Sequence, residues 1–129
     1  MIGVDTNVLL RLATNDDAAQ VKTITRWLAA HAPDESLYVN QIVLVESLWT
    51  LKSSYGYGRD DIAKFVDALL GNAKFEIEDA AIVDDALGLF ESGKADFPDC
   101  LIFSRNAPQC ATTITFDRAT RGLPGCALL

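Results

Sequence analysis

Short apolar runs alternate with longer segments of helical periodicity along this chain, and this alternation limits the folds open to it. The clearest helical segment is "RDDIAKFVDALLGN", where Ile62, Phe65, Val66 and Leu69 form one apolar stripe that Gly71 closes. Weaker stripes predict helices over residues 16–31, 41–55, 80–92 and 97–106. Strands are predicted over residues 1–4, 36–39, 74–78, 110–116 and 125–129.

Strands that alternate with helices predict an α/β protein, here an α/β/α sandwich around a central, mainly parallel sheet of four to five short strands. The runs at residues 1–4 and 110–116 are expected to be buried. The chain has 129 residues, of which 50% are apolar, enough for one core without metal or disulfide support. We therefore expect residues 1–129 to form a single domain.

The charge balance argues against binding nucleic acid through a basic surface. Lys and Arg number 11 and Asp and Glu 18, a formal net charge of −7. An acidic protein handles phosphates when its carboxylates converge on divalent cations, because the bound ions then dominate the local field. The sole histidine, His31, excludes a metal-free ribonuclease that uses paired histidines.

No run is long and apolar enough for a membrane span, and no basic leader precedes the first strand. We expect no membrane association and a cytoplasmic location. The three cysteines, Cys100, Cys110 and Cys126, include no CxxC pair, and their small or apolar neighbours predict buried free thiols.

Two acids directly follow apolar strand candidates. Asp5 ends the first run and Asp117 ends the run at residues 110–116. Carboxyl ends of parallel strands share one edge of a sheet, where ligands of α/β proteins bind. Each Asp could instead cap the helix that follows it. Asn7 and Thr115 flank these acids and could orient carboxylates or water, or be ordinary polar loop residues.

Three further acids lie on helices. Glu46, in "NQIVLVESLWTLK", adjoins an apolar stripe, so its charge needs a metal or a salt-bridge partner such as Lys52 or Arg11. Asp96 and Asp99, in "GKADFPDC", open a helix three residues apart and point to one side. Capping explains Asp96, whereas Asp99 begins an apolar run and is the better functional candidate.

The stretches "MIGVDTNVLLR", "VLVESLWTLK", "GKADFPDCLI" and "TITFDR" together resemble the PIN-domain ribonucleases, in particular the toxins of VapBC-type toxin–antitoxin pairs. The resemblance implies a Mg²⁺-dependent endoribonuclease, with Mn²⁺ as an alternative ion. It implies metal-binding, catalytic roles for Asp5, Glu46, Asp99 and Asp117, with Asp96, Asn7 and Thr115 as accessory residues. Pro98 departs from the small residue expected between the two aspartates, but proline is tolerated in a first helical turn.

The same resemblance implies an RNA substrate and a cognate antitoxin that inserts a basic side chain among the acids. The apolar content and the amphipathic helices would suit a homodimer or a groove that accepts a partner helix. One alternative is a non-catalytic binding module of the same fold, whose acids are structural. Another is a Mg²⁺-dependent phosphatase or phosphoacceptor domain. That alternative fits less well, because Asn7 stands where such a phosphatase has a second Asp and no lysine follows Lys94.

Overall fold

A computed structural model describes residues 1–129 and contains six α-helices and five short strands. The strands are β1 (Ile2–Gly3), β2 (Leu37–Val39), β3 (Phe75–Ile77), β4 (Thr113–Thr115) and β5 (Cys126–Leu128). The helices are α1 (Thr6–Thr14), α2 (Ala18–His31), α3 (Gln41–Ser54), α4 (Arg59–Gly71), α5 (Ala80–Ser92) and α6 (Phe97–Asn106). A 3₁₀ turn covers Arg118–Thr120. None of the helices combines the length and apolar content that crossing a membrane requires.

All strand pairs are parallel, which confirms the α/β class. The strands form two sheets, however, instead of one. Strands β1, β2 and β3 pair in that order, with Leu37 between Ile2 and Phe75. Strands β4 and β5 pair separately, with Thr113 opposite Cys126. β1 is two residues long, and no ladder joins it to β4.

One core cluster draws on β2, β3 and every helix except α2. The predicted stripe of α4 supplies Ile62, Val66 and Leu69 to it, while Phe65 is only partly buried. Helix α2 has no fully buried residue and covers the outside of the fold. This cluster thus joins α1, α3, α4, α5 and α6 to strands β2 and β3.

Three expectations about burial were wrong. The run at residues 1–4 is not buried: Met1 is 67% exposed, and Ile2 and Val4 are only partly buried. The run at residues 110–116 is not a buried strand: Ile114 is 66% exposed and Phe116 is 82% exposed. β4 pairs with β5 alone, and the exposure of Ile114 shows that one face of this small sheet is open to solvent. Cys100 is buried and Cys126 partly so, but Cys110 is exposed in the loop between α6 and β4.

Candidate functional site

Asp5 follows β1 and is the N-cap of α1. Its Oδ1 accepts a hydrogen bond from the Thr6 amide at 2.7 Å, and its Oδ2 has no partner within the chain. The capping role therefore uses one carboxylate oxygen and leaves the other available. Capping and ligand binding are compatible at this residue, although the sequence presents them as alternatives.

Glu46 is held by a threonine that sequence reasoning overlooked. The Thr6 hydroxyl donates to Glu46 Oε2 at 2.8 Å and so links the end of β1 to α3. Glu46 is exposed and forms no salt bridge, so the salt-bridge alternative with Lys52 or Arg11 is wrong. The proposed partners are engaged elsewhere, Lys52 with Asp96 and Arg11 with Asp16. The position of Thr6 directly after Asp5 was the available signal.

Asp96 and Asp99 open α6 in different environments. Asp96 has the backbone geometry of an N-cap, but its side chain makes no cap hydrogen bond and instead lies 3.4 Å from Lys52 Nζ. Asp99 is partly buried in the first turn. Burial raises the pKa of the Asp99 carboxyl, and the negative charges of Asp117 and Asp96 raise it further. Pro98 fits the first helical turn, so the motif persists.

Asp117 follows β4 and begins the 3₁₀ turn. Its Oδ1 accepts from the Ala119 amide at 2.9 Å, which again leaves Oδ2 without a partner. Thr115 Oγ1 accepts from the Asp117 amide at 3.0 Å and so orients the turn. Asn7 is exposed on α1, and its side chain forms no hydrogen bond.

The acids thus form two sets. Thr6 connects Asp5 with Glu46, and the field at Asp99 connects it with Asp96 and Asp117. No three metal-binding side chains lie close enough together to enclose an ion by themselves. An all-carboxylate donor set suits Mg²⁺, which keeps several waters and binds directly to only one or two carboxylates. The residues present therefore fit such an ion.

Five cations, Arg11, Lys52, Arg105, Arg118 and Arg121, lie on or directly after the helices and the 3₁₀ turn that carry or follow the acids, and could contact phosphate there. Arg11 and Lys52 are paired as described, and Arg105 Nη1 donates to Asp79 at 2.9 Å and to Gln41 at 2.8 Å. Arg118 begins the 3₁₀ turn after Asp117, and Arg121 follows its last residue. Both are exposed and form no ion pair. Arg118 and Arg121 are thus the two of these five cations that remain available to a ligand.

Comparisons with known proteins agree with the sequence motifs. The PIN domain family model matches residues 2–124. A VapC ribonuclease of Aquifex aeolicus (strain VF5) is 28% identical over 99 residues, 76% of this chain and 73% of that protein. A solved toxin-antitoxin complex from Klebsiella pneumoniae is 18% identical, with a TM-score of 0.39 and a match covering 98% of this chain and 96% of that chain. The predicted family resemblance is confirmed.

Proposed function

The chain belongs to the PIN domain family, and from this membership we propose that residues 1–129 form one PIN-like domain that acts as a Mg²⁺-dependent endoribonuclease. We propose further that it is the toxin of a type II toxin–antitoxin pair. The observation that carries the proposal is the position of Asp99, partly buried at the start of α6: burial raises the pKa of its carboxyl, the negative charges of Asp117 and Asp96 raise it further, and of these three acids only Asp96 is paired with a cation, Lys52. A divalent ion would supply that missing charge.

Asp5, Glu46, Asp99 and Asp117 are the residues that would hold the ion, one or two of them directly and the others through its bound waters. Mg²⁺, or Mn²⁺ in its place, supplies a coordinated water of lowered pKa and offsets negative charge on the attacked phosphate. Thr6 fixes Glu46, and Thr115 orients the turn that carries Asp117. Asp5 and Asp117 are held by their own caps, so their free oxygens are oriented before an ion binds.

The proposed partners follow from the same surface. RNA phosphates would bind the metal ions held by the acids and the side chains of Arg118 and Arg121. The chain as a whole, with its net charge of −7, repels a phosphate backbone. A cognate antitoxin with a basic side chain would neutralise the acids and so suppress cleavage. A homodimer would cover the face of α3 where Ile42 is 72% exposed and Trp49 69% exposed, two turns apart.

Purified, partner-free protein incubated with a pool of structured RNA tests the activity. We expect cleavage that requires Mg²⁺ or Mn²⁺ and that Asp5→Asn and Glu46→Gln each reduce by more than about 100-fold, above the loss typical of outer-shell residues. The control is Asp84→Asn, which removes an exposed acid from α5. Cleavage indifferent to both site variants, or absent in folded, metal-loaded wild type, would favour the non-catalytic binding module.

A further inference from the structure

Arg59, the first residue of α4, makes an unusual set of contacts with the end of α5 and the segment that follows it. Its Nη1 donates to the carbonyls of Ala95 at 2.9 Å and Lys94 at 3.4 Å. Its Nη2 donates to the carbonyls of Phe90 at 2.7 Å and Gly93 at 3.2 Å. One guanidinium therefore joins four backbone carbonyls.

The same guanidinium lies over the Phe90 ring, with its Cζ 4.0 Å from the ring centroid. Phe90 in turn meets Phe97 edge to face, with the ring centroids 5.8 Å apart. Phe97 is the first residue of α6 and is 2% exposed. The cation and the aromatic pair thus fix both ends of the connection between α5 and α6, which we define as residues 93–96.

This connection leads directly into the part of α6 that carries the acids. It ends at Asp96, and Asp99 follows within the first turn of the helix. Arg59 makes no ion pair, although the chain contains 18 acidic residues. Its hydrogen bonds all go to carbonyls, including carbonyls that the end of α5 leaves without helical partners. The contacts favour a role in backbone geometry over a role in charge balance.

We infer that Arg59 is a positioning residue for the acidic site: by clamping the connection it sets where Asp96 and Asp99 stand relative to Asp117. The inference rests on the proposed function, since it concerns the ion that these acids would hold. Lysine cannot replace arginine here, because a single ammonium neither spans four carbonyls nor stacks flat on Phe90.

Arg59→Lys tests the clamp with the charge retained. We expect the Mn²⁺ dissociation constant, measured by titration calorimetry, to rise about 10-fold or more, the range for outer-shell residues of metal sites. Cleavage should recover at saturating Mn²⁺, because the ion draws the displaced acids together. In the metal-free protein, the amides of residues 93–97 should exchange hydrogen faster than in wild type.

Leu69→Ala is the matched control. It leaves a cavity in the same helix, but near the opposite end from Arg59. It should lower the melting temperature without changing Mn²⁺ affinity, provided that binding is measured where both variants are folded. Gly93→Ala disturbs the connection with Arg59 intact, because its Cβ would lie 3.1 Å from the Leu89 carbonyl oxygen. It should weaken Mn²⁺ binding as Arg59→Lys does, and it replaces that variant if the latter fails to fold.

Wild-type Mn²⁺ affinity in Arg59→Lys, or in Gly93→Ala if it is the variant that folds, would overturn the inference and leave the proposed function standing. A wild type that neither binds Mn²⁺ nor cleaves RNA would overturn the proposed function, and this inference with it. Weakened binding in the clamp variants, normal binding in Leu69→Ala and faster exchange confined to residues 93–97 would support both.

Discussion

Asp99 is the acid of the site whose surroundings most disfavour its charge. Because its pKa is raised, the folded protein retains a proton on Asp99 at pH values where the unfolded chain has lost it. Ionised Asp99 therefore lowers the free energy of unfolding at pH values above its raised pKa. This loss of stability disappears as the pH falls below the ordinary pKa of an aspartate. A loss of stability of this kind is typical of residues that serve function at the expense of the stability of the fold.

Asp99→Asn should accordingly raise the melting temperature of the metal-free protein at pH 7, while reducing RNA cleavage by more than about 100-fold. The gain should shrink towards pH 3, where wild-type Asp99 is itself protonated. Scanning calorimetry at the two pH values, with Asp84→Asn as the control, measures the effect. A variant less stable than wild type at pH 7 would contradict the prediction.

Asp5 combines a structural and a proposed chemical role in one side chain. Asparagine caps a helix about as well as aspartate, whereas alanine removes a contribution of roughly 1 kcal/mol. Asp5→Asn should therefore keep the wild-type free energy of unfolding within about 0.5 kcal/mol, and Asp5→Ala should lose about 1 kcal/mol. Both should lose cleavage. Urea denaturation separates the two roles, and equal stability of the two variants would contradict the capping part.

At the scale of elements, the bounds of the five predicted helices were more accurate than the predicted burial of the strands, although α1 was not among those helices. The stripes at residues 80–92 and 97–106 coincide with α5 and α6, because one apolar face against a core produces a clear period of 3.6 residues. The run at residues 110–116 gave only the three-residue strand β4. Whether a β-branched run is buried depends on its neighbours in the sheet, which the run itself does not encode.

Helix α3 carries a polar atom that the fold leaves without a partner. The Ser47 hydroxyl is fully buried and has no hydrogen bond. Burial of an unpaired hydroxyl costs about 1–3 kcal/mol, and alanine is the better helix former. Ser47→Ala should raise the free energy of unfolding by about 1 kcal/mol. Leu48→Ala, the neighbouring control, should instead lose about 2–5 kcal/mol by urea denaturation.

At the scale of the whole molecule, net charge determines how strongly the protein attracts RNA. With a net charge of −7 the protein has little general attraction for RNA, so individual free cations matter. Five arginines and lysines lie on or directly after the elements that carry or follow the acids, and the sequence alone does not show which of them are paired. The structure engages Arg11, Lys52 and Arg105 in ion pairs and leaves Arg118 and Arg121 free.

Arg118→Gln and Arg121→Gln should each raise KM for RNA and change kcat little, because a phosphate contact away from the reacting atoms binds substrate and transition state alike. Each should also lower the slope of log affinity against log salt concentration by roughly 0.7–1. Arg26→Gln on α2 is the control and should leave both quantities unchanged. Identical effects of all three variants would point to net charge instead.

The sequence by itself determined five of the six helices, the α/β class and the family, because periodicity and the order of four short motifs are local properties of the chain. It also brought forward the acids Asp5, Glu46, Asp99 and Asp117 as candidates. Only the tertiary structure decided their partners: the Thr6 hydroxyl on Glu46, Lys52 beside Asp96, and the Arg59 clamp 37 positions before Asp96. Such contacts join elements distant along the chain, and no local pattern records them.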